Sequence, residues 1–256
     1  MDIYLSTQPF RSVADAYNVG KAVGYDGLEL FMRPSGRFSL RTLRGQLTPS
    51  QLDFIKVVHA PTGKWHAFGF ASLLQKGLDL AAQAHAPLVN IHPPSRRWFI
   101  GGKLTQDMQF ESISTALDGT QKRVAIEVVG PDTKKEHRLR RPYRHPKQWR
   151  DDILRLQLWA TVDTTHLAAW GENPVEYLRA LRERVAHIHA SDYDPYTKQQ
   201  HCIIGRGSLD WRDVMAAAQV YCPEATLTVE LSSRYTGKEL TDGVIESLIV
   251  LEKQLR

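Results

Sequence analysis

Short apolar runs and amphipathic helical stretches alternate eight times along this chain, and that alternation restricts the fold more than any single motif does. The strand-like runs cover residues 1–6, 26–31, 55–59, 88–92, 123–128, 158–163, 185–190 and 226–231. Between them the apolar spacing lengthens to three or four. Leu73, Leu74, Leu78, Leu80 and Ala81 form a wide stripe, and Val13, Ala16, Tyr17 and Val19 a second one after Ser12, a fitting N-cap, with Gly24 as its stop. Further helical stretches run through Met108, Ile113 and Leu117, and over 149–156, 174–181, 209–220 and 240–255, with Pro174 suited to a first turn. Repeated βα units demand parallel strands joined by right-handed crossovers. Eight of them in 256 residues predict one α/β domain over 1–256, a closed (β/α)8 TIM barrel. An open doubly wound sheet is the alternative, but no Gly-x-Gly-x-x-Gly follows the first run.

The ends of these runs carry the chemistry. All strands of a parallel barrel open their C-terminal ends onto one face, where catalytic groups sit. Glu29, His59, His92, Glu127, Asp163, His189 and Glu230 stand at, or within a residue or two of, seven of the eight ends. Each has a bland explanation by itself. His59 could be a hydrogen-bonded rim histidine, and Glu29 could cap a helix or pair with Arg33 or Arg37. Gathered at one mouth, so many carboxylates and imidazoles would repel or lose solvation without a cation. Mixed nitrogen and oxygen donors suit Zn²⁺ or Mn²⁺, with Co²⁺ and Mg²⁺ as further options. His166 lies three residues after Asp163 and His201 just before a Gly-x-Gly turn, so both are candidates for a further metal or for substrate. His187 is expected to face the outer helices in a structural role.

Composition narrows the class. Hydrophobic residues make up 42% and charged residues 24%, and no apolar run approaches the ~20 residues that span a bilayer, so no membrane role is expected. MDIYLSTQPF lacks the basic and apolar regions of a secretory leader, and two cysteines, Cys202 and Cys222, suit a reducing cytoplasm. The net charge of +5 points weakly to anionic partners. Its densest contribution is the run 133–152, where Arg140 and Arg141 lie among six other basic residues; His92-Pro-Pro-Ser-Arg96-Arg97-Trp98 adds two more. These four arginines are candidate phosphate contacts, although charge runs are usually solvated faces. Trp65 and His66 are candidate pocket-lining residues.

Eight short motifs in order, DGLEL (26–30), HAP (59–61), NIHPPS (90–95), AIEVV (125–129), VDTTH (162–166), HIHASD (187–192), HCIIGRGSLDW (201–211) and VEL (229–231), resemble the xylose-isomerase-like TIM barrels. That superfamily joins sugar isomerases and epimerases with endonuclease IV, the apurinic-site nuclease. The resemblance implies one divalent ion held by Glu127, Asp163, His189 and Glu230. Glu127 and Glu230 would act as acid and base on opposite faces of a sugar or sugar phosphate, and His166 would contact a substrate hydroxyl. The nuclease branch implies three zinc ions on His59, His92, Glu127, Asp163, His166, His189, His201 and Glu230, and a nucleic-acid partner. That branch carries Asp-x-His where this chain has Gln199-Gln200-His201, and Asp192 or Asp194 could supply the missing carboxylate. The leading expectation is a cytoplasmic, metal-dependent sugar or sugar phosphate isomerase or epimerase of open oligomeric state, with the nuclease as the alternative. A non-catalytic binding barrel is a third reading, and the intact four-residue set argues against it.

Overall fold

Backbone hydrogen bonds run from strand to strand until the last pairs with the first. The computed structural model describes residues 1–32, 43, 45–60, 70–93, 122–131 and 146–255. In chain order the first half contains β1 (Ile3–Ser6), α1 (Val13–Val23), β2 (Gly27–Phe31), α2 (Pro49–Leu52), β3 (Ile55–His59), α3 (Phe70–Gln83), β4 (Leu88–Ile91) and β5 (Arg123–Glu127). The second half contains α4 (Pro146–Arg155), β6 (Trp159–Asp163), α5 (Thr164–Ala169), α6 (Pro174–Leu181), β7 (Val185–Ala190), β8 (Asp192–Asp194), β9 (Gln199–Cys202), α7 (Trp211–Tyr221), β10 (Thr226–Val229) and α8 (Gly237–Leu255). The barrel order is β1-β10-β7-β6-β5-β4-β3-β2, and the Ile3–Leu227 register closes it in parallel. The fold is the expected closed eight-stranded barrel. The helical stretch through Met108, Ile113 and Leu117 lies outside the described residues.

Local chemistry sets the boundaries. Ser12 Oγ accepts the Asp15 N–H at 3.0 Å and starts α1. Gly24 ends it at φ 105°, a left-handed conformation that glycine adopts without a Cβ penalty. Asn173 caps α6 ahead of Pro174, and Asp210 caps α7.

Strand alternation divides two environments. Leu5, Leu28, Leu30, Val58, Val89, Ile126, Ile188 and Leu227 are buried in one apolar core with helix residues such as Leu74, Leu178 and Val214. Tyr4, Val57, Leu88 and Ala125 form a separate apolar cluster with Ala186. Two residues further along the same strands stand buried Ser6, His59, Asn90 and Glu127. The barrel interior is thus an apolar floor under a polar layer, and the polar layer is the mouth.

Beyond the eight-strand frame the chain adds the antiparallel β8–β9 hairpin and the short helix α5, neither of which the apolar pattern announces. Cys202 and Cys222 are free, buried thiols. Among the described residues no helix is long and apolar enough to cross a membrane.

Candidate metal centre at the barrel mouth

Glu127 ends β5, Asp163 ends β6, His189 stands one residue before the end of β7, and Glu230 directly follows β10. These strands are consecutive neighbours in the barrel, with Asp163 in register with His189. The four side chains therefore meet. His189 Nδ1 lies 3.0 Å from Glu230 Oε2, 3.5 Å from Asp163 Oδ2 and 3.5 Å from Glu127 Oε2. All four residues are buried, yet Glu127 Oε1, Asp163 Oδ2, His189 Nδ1 and Glu230 Oε2 have no partner of hydrogen-bonding geometry. Each such buried orphan costs about 1–3 kcal/mol. Ligand atoms of Glu127, Asp163 and His189 lie within 4.8 Å of one another, and Glu230 joins them through His189 Nδ1. A divalent cation would satisfy such orphans, and carboxylates with an imidazole are a fitting donor set.

Asp163 is held for this position by local structure. Its Oδ1 accepts the His166 N–H at 2.8 Å as the N-cap of α5, which leaves Oδ2 to the cluster. The same helix turn brings His166 Nδ1 to 3.2 Å from Glu127 Oε1, while that nitrogen donates to the Val128 carbonyl at 2.8 Å.

Glu127 is the busiest carboxylate. Its Oε2 accepts from Asn90 Nδ2 at 2.6 Å and faces His59 Nε2 at 3.1 Å and His92 Nε2 at 3.4 Å. His59 Nδ1 lies 2.9 Å from the Ala60 carbonyl, so both its nitrogens face acceptors. On the other side, His201 Nδ1 is 3.3 Å from Ser191 Oγ and 3.9 Å from Glu230 Oε2. His201 sits at φ 55°, held there because its N–H donates to Thr165 Oγ1 and its carbonyl accepts from the Ser232 N–H. The ligand atoms of His59, His92 and Glu127 lie within 4.8 Å of one another, as do those of Asp163, His166 and His201.

Charge at the mouth is balanced by proximity. Burial pushes the Glu127, Asp163 and Glu230 carboxyls up. The imidazoles outweigh it, His92 and His189 for Glu127, His166 for Asp163 and His189 for Glu230, and hold all three below the usual carboxylate range. Burial opposes charge on His189 and His166 as well. Glu29, Glu127 and Glu230 nevertheless raise His189 well above the ordinary imidazole value, and Asp163 and Glu127 raise His166 to about 9. A proton on His189 thus serves as the counter-charge that a metal at Nδ1 would replace.

The structure corrects one expectation and places several others. His187 does not face the outer helices. It stands two residues from His189, hence on the same side of β7, and is buried with Nε2 3.2 Å from Glu29 Oε2. Asp192 does not reach the site, because its two oxygens accept the N–H groups of Tyr193, Leu209, Gly205 and the Trp211 indole. Asp194 turns to Tyr196 and Thr197 in the hairpin. Arg96, Arg97, Arg140, Arg141, Trp65 and His66 lie outside the described residues. Sequence reasoning passed over Asn90, although its place two residues after Leu88 on an inward face is the same signal that marks Glu127 after Ala125.

A closed parallel barrel with acids and imidazoles converging at the C-terminal ends of its strands defines the class. A family profile described as xylose isomerase-like TIM barrel matches residues 18–254, and the chain belongs to that family. An uncharacterised protein of Mycobacterium leprae is 25% identical over 95% of this chain and 92% of its own length. Among solved structures, a D-tagatose 3-epimerase-like protein superposes with a TM-score of 0.74 at 16% identity over 100% of both chains. The IolI protein with a bound zinc atom gives 0.72 at 14% identity, covering 99% of each chain. The probable 3-DHS dehydratase AsbF of Bacillus anthracis gives 0.72 at 13%, covering 98% of this chain and 99% of its own. At these identities the likeness is one of fold.

Proposed function

We propose that this protein is a divalent-metal-dependent isomerase or epimerase of a sugar, sugar phosphate or related polyol, working by proton transfer at a carbon next to a carbonyl. The observation that carries the proposal is that buried ligand atoms of Glu127, Asp163 and His189 lie within 4.8 Å of one another, with Glu230 Oε2 3.0 Å from His189 Nδ1. Structural similarity to a D-tagatose 3-epimerase-like protein and to a D-psicose 3-epimerase supports the substrate class. In this reading Asp163 and His189 are ligands, and Glu127 and Glu230 combine ligation with acid and base work. A bound Mn²⁺ or Zn²⁺ would polarise the carbonyl and offset the charge that develops on its oxygen.

The chain's own groups do the rest. Glu127 and Glu230 are kept ionised, which is the state a general base needs. One of them would remove the proton from carbon and, now protonated, return that proton to the adjacent carbon; for return on the opposite face the other carboxylate would first take up a proton from water. Asn90 and His59 hold Glu127 Oε2, so this carboxylate is steadied from β3 and β4. His166, whose Nδ1 donates to the Val128 carbonyl, would hold a substrate hydroxyl in this reading. Two buried free thiols support a cytoplasmic location for the protein.

The second reading is an endonuclease-IV-like phosphodiesterase. The His59–His92–Glu127 and Asp163–His166–His201 groupings favour it, since they could hold further ions beside the first. Against it, the hairpin offers Gln199 where a carboxylate would be wanted, and Asp192 and Asp194 are committed elsewhere. The test is a panel of pentoses, hexoses and their phosphates with metal-loaded protein, run beside a duplex carrying an abasic site. Isomerised product that disappears with chelator and in Glu230→Gln is expected. Metal-dependent strand incision without sugar turnover would replace this reading with the nuclease.

A further inference from the structure

The polar layer contains a further carboxylate, Glu29, whose ligand atom lies within 4.8 Å of those of His59 and His189. Glu29, on β2, reaches across the barrel to β7, three positions away in the strand order. It is buried, and its Oε1 lies 3.1 Å from His189 Nε2 while its Oε2 lies 3.2 Å from His187 Nε2. His187 Nδ1 in turn lies 2.7 Å from Thr226 Oγ1 on β10.

We propose that Glu29 is a positioning residue that accepts from His187 and His189 together and so locks His189 with its proton on Nε2 and its Nδ1 turned to Glu127, Asp163 and Glu230. The inference rests on the metal-site reading above. An ionised carboxylate has no proton to give, so both imidazole Nε2 atoms must be donors. For neutral His187 this makes Nδ1 an acceptor, and the Thr226 hydroxyl is the donor that meets it. For His189 it reserves Nδ1 for the cluster. Asn90 Nδ2 also lies 3.4 Å from His189 Nε2 with its second N–H, but its short bond is to Glu127 Oε2 at 2.6 Å, and the Glu29 carboxylate at 3.1 Å is the nearer partner of Nε2. The second partner of a metal-ligating histidine sets its tautomer and ring orientation and makes it a better ligand.

Glu29→Gln tests the idea. A glutamine offers these two Nε2 atoms one acceptor and one donor, so one histidine must present a lone pair there, and His189 can no longer be held as a donor without loss elsewhere. Zinc affinity is measured by chelator competition in the wild type and in Glu29→Gln, with folding followed by circular dichroism. The expected result is a roughly 10- to 100-fold weaker affinity in folded Glu29→Gln. The nitrogen shifts of ¹⁵N-histidine-labelled wild-type protein are the second measurement, and they serve even if the glutamine variant does not fold. A proton on Nε2 of His187, with Nδ1 unprotonated, is expected, whereas a proton on Nδ1 overturns the proposal. Wild-type zinc affinity in folded Glu29→Gln overturns it too. Absence of zinc binding by the wild type would instead defeat the metal reading and, through it, this inference.

Discussion

Single side chains at the mouth do two jobs, and the account turns on that economy. Asp163 caps α5 with one oxygen and faces His189 with the other, so the helix start and the cluster are one construction. A cation bound only by the folded state stabilises by mass action, about 2.7 kcal/mol at a hundredfold excess over Kd. For a chain of this size that is a rise in Tm of roughly 5–10 °C on adding Zn²⁺ or Mn²⁺. In Glu230→Gln the rise should fall close to zero, and a full rise in that variant would remove Glu230 from the site. Cys222 offers a check that owes nothing to the metal. Burial, aided by Glu183, pushes its thiol up to about 12. The native state therefore keeps a proton that the unfolded chain releases near about 8.5, so this contribution is complete below that pH and lost as pH rises toward 12. Alkylation of Cys222 at pH 8–9 should require urea. Rapid labelling of native protein would contradict the packing around α6 and α7.

At the scale of elements, the segment between β7 and α7 is the least anticipated and the most tightly tied. Asp192 gathers four N–H groups from Tyr193, Gly205, Leu209 and the Trp211 indole. Gly207 lies so close that a Cβ there would overlap the Asp192 carboxylate, which explains glycine in that turn. Asp192→Asn places an amide N–H among these donors and should lower the unfolding free energy by about 3 kcal/mol in urea titration. A change under about 0.5 kcal/mol would mean that the loop does not depend on this knot. The hairpin itself was illegible in the sequence because DYD and QQHC carry no apolar alternation and are only three and four residues long. By contrast, Val185–Ala190 and Pro174–Leu181 were readable to the residue. The first is a wholly buried run, and the second has Asn173 and Pro174 to mark its start. Strand ends revealed the acids and imidazoles, but not which of them touch. His187 was misread by one step of the pleat, and the link from Glu29 to β7 depends on barrel closure, which no local pattern encodes.

For the molecule as a whole, barrel closure converts a list of strand ends into one buried polar layer at the mouth. β5, β6 and β7, with the residue after β10, bring the candidate ligands Glu127, Asp163, His189 and Glu230 together, while β2, β3 and β4 bring Glu29, His59 and Asn90 against them. The apolar layer of Tyr4, Val57, Leu88 and Ala125 gives that polar layer its floor. The central claim is that this polar layer moves a proton on and off a carbon beside a carbonyl. The most direct test is solvent deuterium exchange, followed by proton NMR, with metal-loaded protein and the ketoses and ketose phosphates of the panel in D₂O. The account expects deuterium to enter at the carbon next to the carbonyl of at least one ketose, and to stop doing so in Glu127→Gln and Glu230→Gln. Metal-loaded protein that exchanges no carbon-bound proton in any of them, yet cuts an abasic duplex, would contradict it.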